Sequence, residues 1–360
     1  MKRVVAFADS YISLITIIQI RKYLFQNDKF DIVLSDLTSG LKTIFEKKTL
    51  ENLFDRVYFA SYEKMTRFDK FRILFSQKKM IHRILGEELP FYTDIFFWNP
   101  SLLFYSYWIY LSKSKNMYRL HLYGEALGAY VTDCPVEDGV FKNRVLNEYL
   151  RLVFGCIPVK EMIYDYYVFE PSLISFESNR SVVGIPKIVT SDISYLNRVF
   201  EYDLNAAVIK EKVLFMDKKH ADETSDEIKI VGLLRKMNAL LGKESFAVKA
   251  HPRQNKSIYR DNGIKLISMD YPWEIYCMNN SIDDKTIISY SSSAMYMPYI
   301  LMDSNHKSIC IKIDTIFTQT FSKEYDTFIK KVKALNKNVK VINDISELSR
   351  LVDEENQKCK

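Results

Sequence analysis

The chain has only ten glycines in 360 residues, and they form neither G-x-G-x-x-G nor G-x-x-x-x-G-K-[ST]. A dinucleotide fingerprint and a Walker-type loop are therefore both missing. Any phosphate must be held by hydroxyls, backbone amides or cationic side chains. H-E-x-x-H, G-x-S-x-G and carboxylates at calcium-loop spacing are missing too, which removes the readily recognised hydrolases, kinases and dehydrogenases. Cysteine is sparse: Cys134, Cys156, Cys277, Cys310 and Cys359 are odd in number, scattered, and contain no C-x-x-C pair. Neither a disulfide framework nor a structural zinc site is expected, and a reducing cytoplasm is the simplest compartment. No run of five or six basic residues occurs, which argues against nucleic acid as a partner. No stretch supplies the roughly 20 clean apolar residues of a membrane span. The best candidate, Ile95 to Leu111, is broken by Asn99, Pro100 and several Ser and Tyr residues, and reads as strand then helix. Met1-Lys2-Arg3 followed by Val4 to Ala8 resembles the start of a signal peptide, but Asp9 and Ser10 break the run, so a buried first strand is expected.

What is present is an ordinary globular composition, 48% hydrophobic and 27% charged, with enough core material for two domains of roughly 150 to 200 residues. Aromatic content is high, with 24 Tyr and 23 Phe, which thickens the core and offers stacking faces without naming a ligand. The net charge of +6 suits an anionic substrate or lipid surface, but a mildly basic solvated surface would look the same. Contact with the inner face of a membrane and pairing into a homodimer both stay open.

Apolar strands are expected at Val4–Ala8, Phe30–Leu34, Arg56–Phe59, Asp94–Trp98, Tyr118–Tyr123 and Tyr164–Phe169, with a helix over Tyr11–Phe25 and an amphipathic helix over Phe141–Phe154. Pro100 suits the first turn of a helix after the fourth of these strands. Gly184 to Ile188 reads as a crossing between domains. The alternation then restarts: strands at Lys212–Met216, Ser245–Lys249, Thr286–Ser289, Ser308–Ile313 and Val339–Ile342, helices over Ser225–Leu241 and from Ser346. Two α/β domains with parallel sheets follow, 1–185 and 186–360. In such sheets ligands sit beyond the carboxyl ends of the strands, so the residues after each strand are the candidates.

His251 follows a strand directly and is constrained by Pro252, a good position for donating a proton to a leaving phosphate, with Lys249 and Arg253 adding positive charge. A loop histidine without a role would give the same dipeptide. Ser291, Ser292 and Ser293 end another strand ahead of an apolar helix expected near Ala294, where hydroxyls and amides could cradle phosphate or simply cap the helix. Glu125, between Gly124 and Gly128, could approach a substrate hydroxyl, though such a segment is more often only a turn. Asp222 and Glu223 lie in a polar loop where a base, or a solvated cap, could sit. Glu274, in Asp270-Tyr271-Pro272-Trp273-Glu274, could accept from ribose hydroxyls or mark a helix start.

Taken in order, the first strand and helix, Leu122–Tyr130, Tyr164–Pro171, Lys249–Arg253, Pro272–Glu274 and the serine cluster resemble glycosyltransferase family 52, the bacterial lipooligosaccharide and capsule sialyltransferase group. The resemblance implies a GT-B fold, two Rossmann-type domains facing across a cleft, with acceptor on the first and nucleotide sugar on the second. It implies inverting, metal-independent transfer of sialic acid from CMP-sialic acid to a galactose-terminated glycan, and no cofactor. His251 would be the acid, Ser291 to Ser293 would bind the phosphate and Glu274 the ribose; Lys249, Pro252 and Arg253 complete the nucleotide-binding set. The base would be Asp222, or Glu125 in the first domain, where related enzymes carry an acidic-acidic-Gly motif. That motif is spelled here only by Glu137-Asp138-Gly139, past the strand end. A UDP-hexose-dependent transferase of the same family and a non-catalytic nucleotide- or glycan-binding α/β protein are the alternatives.

Overall fold

The computed structural model describes residues 1–62, 74–114, 116–124, 126–134, 148–153, 155–218, 225–242, 244–251, 254–269, 271–312, 322–344, 346–348 and 350. Its residues fall into two compact units, Met1–Phe200 and Glu201–Lys360.

Among the described residues the first unit holds seven strands: β1 Arg3–Ala8, β2 Lys29–Ser35, β3 Arg56–Ala60, β4 Asp94–Phe97, β5 Arg119–Tyr123, β6 Ile163–Val168 and β7 Ser181–Gly184. All pair in parallel, in the order β3-β2-β1-β4-β5-β6-β7. Continuous apolar runs such as Val4 to Ala8 form its centre because a parallel sheet is covered on both faces. The chain builds outward from β1 through β2 and β3, then returns to the other side of β1 as β4. That reversal makes β1/β4 the switch point, where the loops diverge at the carboxyl edge.

The second unit holds β8 Val213–Met216, β9 Phe246–Lys249, β10 Thr286–Ser289, β11 Lys307–Ile311 and β12 Val339–Ile342. These are also parallel, in the order β12-β11-β10-β8-β9, with the switch point between β8 and β10. The helix Ser225–Leu241 packs Ile230, Leu234 and Met237 into the core with Phe215, Phe246 and Val248.

Most expected strands are present within a residue or two. The unit division falls at Phe200/Glu201, beyond the 185/186 division read from the sequence. Ser181–Gly184 is an edge strand of the first sheet, and the helix Thr190–Phe200 is tied to the first unit by Lys22 and Tyr23, which both reach the Asp192 carboxylate. Pro100 stands just outside the helix Leu102–Ser114 rather than in its first turn; Ser101 Oγ accepts from Phe104 N–H there (3.3 Å). Of the helix expected over Phe141–Phe154, only 148–153 is described, and it is helical. Among the described residues no helix is long and apolar enough to cross a membrane.

One polar group sits deep in the first sheet. His121 on β5 is buried, its Nε2 is 3.0 Å from Asp94 Oδ1, its Nδ1 is 3.5 Å from Asp165 Oδ2, and Phe96 stacks on its ring. Burial alone would raise the Asp94 carboxyl, but His121, Thr93 and Lys2 hold it below its ordinary value.

Two glycines allow a clean test of packing. A Cβ on Gly124 would lie 2.9 Å from Val168 Cγ1 and 3.2 Å from Ala129 Cβ, whereas one on Gly232, inside the helix Ser225–Leu241, meets nothing within 4 Å. Gly124→Ala is expected to lower stability by about 1–3 kcal/mol through overpacking. Gly232→Ala is expected to raise it by about 0.5–1 kcal/mol through helix propensity. Thermal unfolding of both variants beside the parent chain checks the opposite signs.

Candidate functional site

The second switch point is organised by Ser289, the last residue of β10. Its buried hydroxyl donates to Met216 O at the end of β8 (2.8 Å) and accepts from Ser292 N–H (3.0 Å). One side chain thus locks two strand ends together and bends the chain back through Ser291. The consequence is visible in Ser291: its Oγ is buried and has no hydrogen-bond partner among the described residues. Ser292 and Ser293 are partly exposed beside it.

The helix expected near Ala294 is instead a 3-10 turn, Ser293–Met295, followed by a short helix, Met297–Met302. Pro298 explains the break, since it has no N–H to give to Ala294 O. Trp273 Nε1–H takes up that carbonyl instead (2.9 Å). Beneath the turn, buried His306 Nε2 lies 2.8 Å from Met295 O, and Ser304 Oγ lies 3.0 Å from Nδ1. An Nε2–H tautomer that donates to Met295 O and accepts from Ser304 satisfies both contacts.

Trp273 opens the helix Trp273–Asn279, and Glu274 occupies its first turn. Glu274 lies within electrostatic reach of Lys249 at the end of β9. Burial pushes the Glu274 carboxyl up and the Lys249 ammonium down, while each charge opposes the other's shift. Both residues keep some exposure at the rim, while their charged groups are largely enclosed. Cys277, one helical turn on, is raised well above the ordinary thiol value by burial and by Glu274, and stays protonated.

His251 stands two residues beyond β9, partly exposed, with its carbonyl accepting from Gln254 N–H (2.9 Å). β9 and β10 flank β8, so the His251 and serine ends are two strand spacings apart, roughly 10 Å. That gap accommodates a phosphate with its sugar rather than a direct His–Ser contact. Asp222, Glu125, Pro252, Arg253, Glu223, Asp270 and Glu137 to Gly139 lie outside the described residues. Among the described residues no group of three metal-ligating side chains forms, and Cys134, Cys156, Cys277 and Cys310 are buried free thiols.

Sequence reasoning passed over two carboxylates. Asp217 directly follows β8 and is buried; it accepts from Tyr259 OH, from Lys218 N–H (2.8 Å) and, longer, from Tyr290 OH (3.4 Å), while its own N–H donates to Lys249 O (3.1 Å). It ties β8, β9 and β10 into one rim. The signal was available, an acid at the first position after an apolar strand. Asp9 follows β1 in the same way. Burial and the neighbouring Asp36 push its carboxyl up to about 6, against the pull of a hydrogen bond from Ser35.

No protein-family model matches the chain, and no curated protein matches its sequence. Solved structures do share its fold. UDP-GlcNAc 2-epimerase from Methanocaldococcus jannaschii superposes with a TM-score of 0.55 at 14% identity, covering 98% of this chain and 92% of that one. Arabidopsis thaliana UGT89C1 in complex with UDP gives 0.51 at 9% identity, over 98% and 89%. The spinosyn rhamnosyltransferase SpnG gives 0.50 at 10% identity, over 97% and 88%. The fold is therefore GT-B, two Rossmann-like domains in one chain.

His306 provides a pH test of the turn's support. Burial lowers its folded-state pKa below the ordinary 6.5. A depressed folded pKa means that the unfolded chain binds more protons, so this contribution is complete above about 6.5 and is lost as pH falls through the folded value. The thermal midpoint of the parent chain is expected to drop between pH 7.5 and pH 5, and the drop is expected to be smaller in His306→Gln, which keeps a donor for Met295 O.

Proposed function

We propose that the chain is an inverting, metal-independent glycosyltransferase that moves sialic acid from CMP-sialic acid to a galactose-terminated surface glycan such as lipooligosaccharide, O-antigen or capsule. The observation that carries the reading is the Ser291 hydroxyl, buried and unpartnered at the β8/β10 switch point. A buried hydroxyl without a partner costs about 1–3 kcal/mol, and an acceptor oxygen from a ligand removes that cost. A nucleotide phosphate supplies such oxygens, and Lys249 brings positive charge to the same rim. Glu274, held by the Trp273 anchor, supplies an acceptor for ribose hydroxyls.

The chemistry follows from where charge develops. As the acceptor oxygen attacks the anomeric carbon, the bond to the nucleotide phosphate breaks and negative charge collects on that phosphate. His251, partly exposed beyond β9, donates a proton there, while Ser291, Ser292 and Ser293 hold the phosphate by hydrogen bonds. In this scheme Arg253, two positions after the histidine in the sequence, supplies a second cation. The base read from the sequence, Asp222 or Glu125, takes the acceptor proton in this scheme. The donor-specific part of the reading comes from the family 52 resemblance of the ordered motifs.

A UDP-hexose donor is the second reading, favoured by the UDP-sugar and UDP named for the M. jannaschii and Arabidopsis structures. Incubation with CMP-sialic acid and lactose, and in parallel with UDP-hexoses, followed by mass detection, separates the two. Consumption of a UDP-hexose but not CMP-sialic acid would replace the donor. Nucleotide binding without any product would leave a binding protein.

His251→Ala is expected to lower turnover by about 10²- to 10⁴-fold while CMP affinity changes little. Near-normal turnover removes the acid assignment. Ser291→Ala is expected to weaken CMP binding by about tenfold, read by calorimetry.

A further inference from the structure

We propose that Tyr325 is a positioning residue for phosphate binding at the serine turn. By holding the Tyr290 carbonyl in the core, it leaves the Ser291 N–H aimed the opposite way, as a donor beside the Ser291 hydroxyl. The inference rests on the nucleotide-sugar reading and adds to it the residue that orients the phosphate donors. Every group involved belongs to the second unit.

Tyr290 links the end of β10 to Ser291. Its side chain is buried, its ring stacks on Phe215 (6.3 Å between centroids), and its hydroxyl reaches Asp217 (3.4 Å). Its carbonyl accepts from the Tyr325 hydroxyl inside the core (3.2 Å). A carbonyl can only accept, so the phenol hydrogen lies on this bond. Peptide bonds among the described residues are trans, and in a trans peptide the C=O and the next N–H point to opposite sides of the C–N bond. The Ser291 N–H is therefore directed away from Tyr325, and among the described residues it donates to no other group. The neighbouring Ser292 N–H is already spent on Ser289 Oγ (3.0 Å).

Ser291 thus carries two donors without acceptors among the described residues, its N–H and its buried hydroxyl. Adjacent donors of this kind, one from the backbone, suit an oxyanion, and a tetrahedral phosphate offers each of them an oxygen.

Tyr325 has the fixed position that the task requires. It lies in the first turn of the helix Lys323–Leu335, where its N–H donates to the Ser322 Oγ cap (3.2 Å). Asp326, next to it, pairs with Lys312 beyond β11, and the Tyr325 ring packs on Phe328 (6.5 Å between centroids). Cys310 Sγ on β11 lies 3.4 Å from the Tyr325 hydroxyl; with the phenol hydrogen on Tyr290 O, the thiol donates to the phenol oxygen. Burial and Cys310 raise the phenol well above its ordinary value, so it stays a hydrogen donor at working pH. Tyr325 is itself buried, so it acts on a ligand through Tyr290 and not by contact.

The test compares nucleotides with nucleosides, because an oriented phosphate donor is felt by CMP or UMP and not by cytidine or uridine. Tyr325→Phe removes the hydroxyl and keeps the ring. It is expected to weaken binding of whichever nucleotide the parent takes by at least about threefold, read by calorimetry, with nucleoside affinity unchanged, read by NMR titration. Cys310→Ala leaves the Tyr325–Tyr290 bond in place and opens a cavity beside it. It is expected to lower the thermal midpoint without changing nucleotide affinity. In the parent with isotope-labelled serine, the nucleotide but not the nucleoside is expected to move the Ser291 amide proton downfield. This shift is read on the parent, so it decides the matter even where Tyr325→Phe does not fold. A smaller loss in Tyr325→Phe, an equal loss for the nucleoside, an equal loss in Cys310→Ala, or a Ser291 amide indifferent to the phosphate overturns the positioning role and leaves nucleotide binding standing. A parent that binds neither CMP nor UMP refutes the nucleotide-sugar reading and this assignment together.

Discussion

The geometry of the second rim depends on one hydroxyl used twice. Ser289 donates to the last carbonyl of β8 and accepts from Ser292 N–H, so two non-consecutive strands and the turn that follows β10 share a single clamp. Asp217 performs the matching task on the other side of β8, receiving Tyr259 and Tyr290 and reaching β9 through its own amide. With these two residues in place, Ser291, Lys249 and His251 are carried at the carboxyl edge by rigid strand ends rather than by long loops. Rigid supports are what hold a reacting group within the small tolerances that proton transfer demands.

Much of the architecture was legible because parallel sheets leave a strong trace. Runs such as Val4–Ala8 and Val213–Met216 are apolar at every position, since both sheet faces are covered. The helix Lys323–Leu335 went unread even though Ser322 caps it and Tyr325, Phe328, Ile329 and Val332 repeat at helical spacing. Its signal was an interval rather than a run. Strand Ser181–Gly184 was harder: only four residues long, at the sheet edge and partly exposed, it has no full apolar stripe to display. Strand ends were legible as places to look, which is how His251 and the serines were found. The carboxylates Asp9 and Asp217 were not, because they differ from an ordinary cap only in what surrounds them. The pull of Ser35 and the push of Asp36 come from residues far along the chain, brought together by pairing of β1 with β2.

The two edges of the first sheet treat buried charge in opposite ways. At mid-strand, His121 lies between Asp94 and Asp165, and Lys2 adds a cation, so the Asp94 carboxyl is held below its ordinary value. At the carboxyl edge, the charge that acts on Asp9 among the described residues is a second carboxylate, Asp36. Compensated charge gives a fixed core; uncompensated charge gives a group whose protonation can change during work.

Pro298 has an effect that reaches past the break it makes. By releasing the Ala294 carbonyl to the Trp273 indole, it couples the serine turn mechanically to the helix that bears Glu274. Any shift of that turn must drag the indole, and with it the first turn of the helix that carries the glutamate. Two segments far apart in the chain are thereby made to move together by a lever one side chain long.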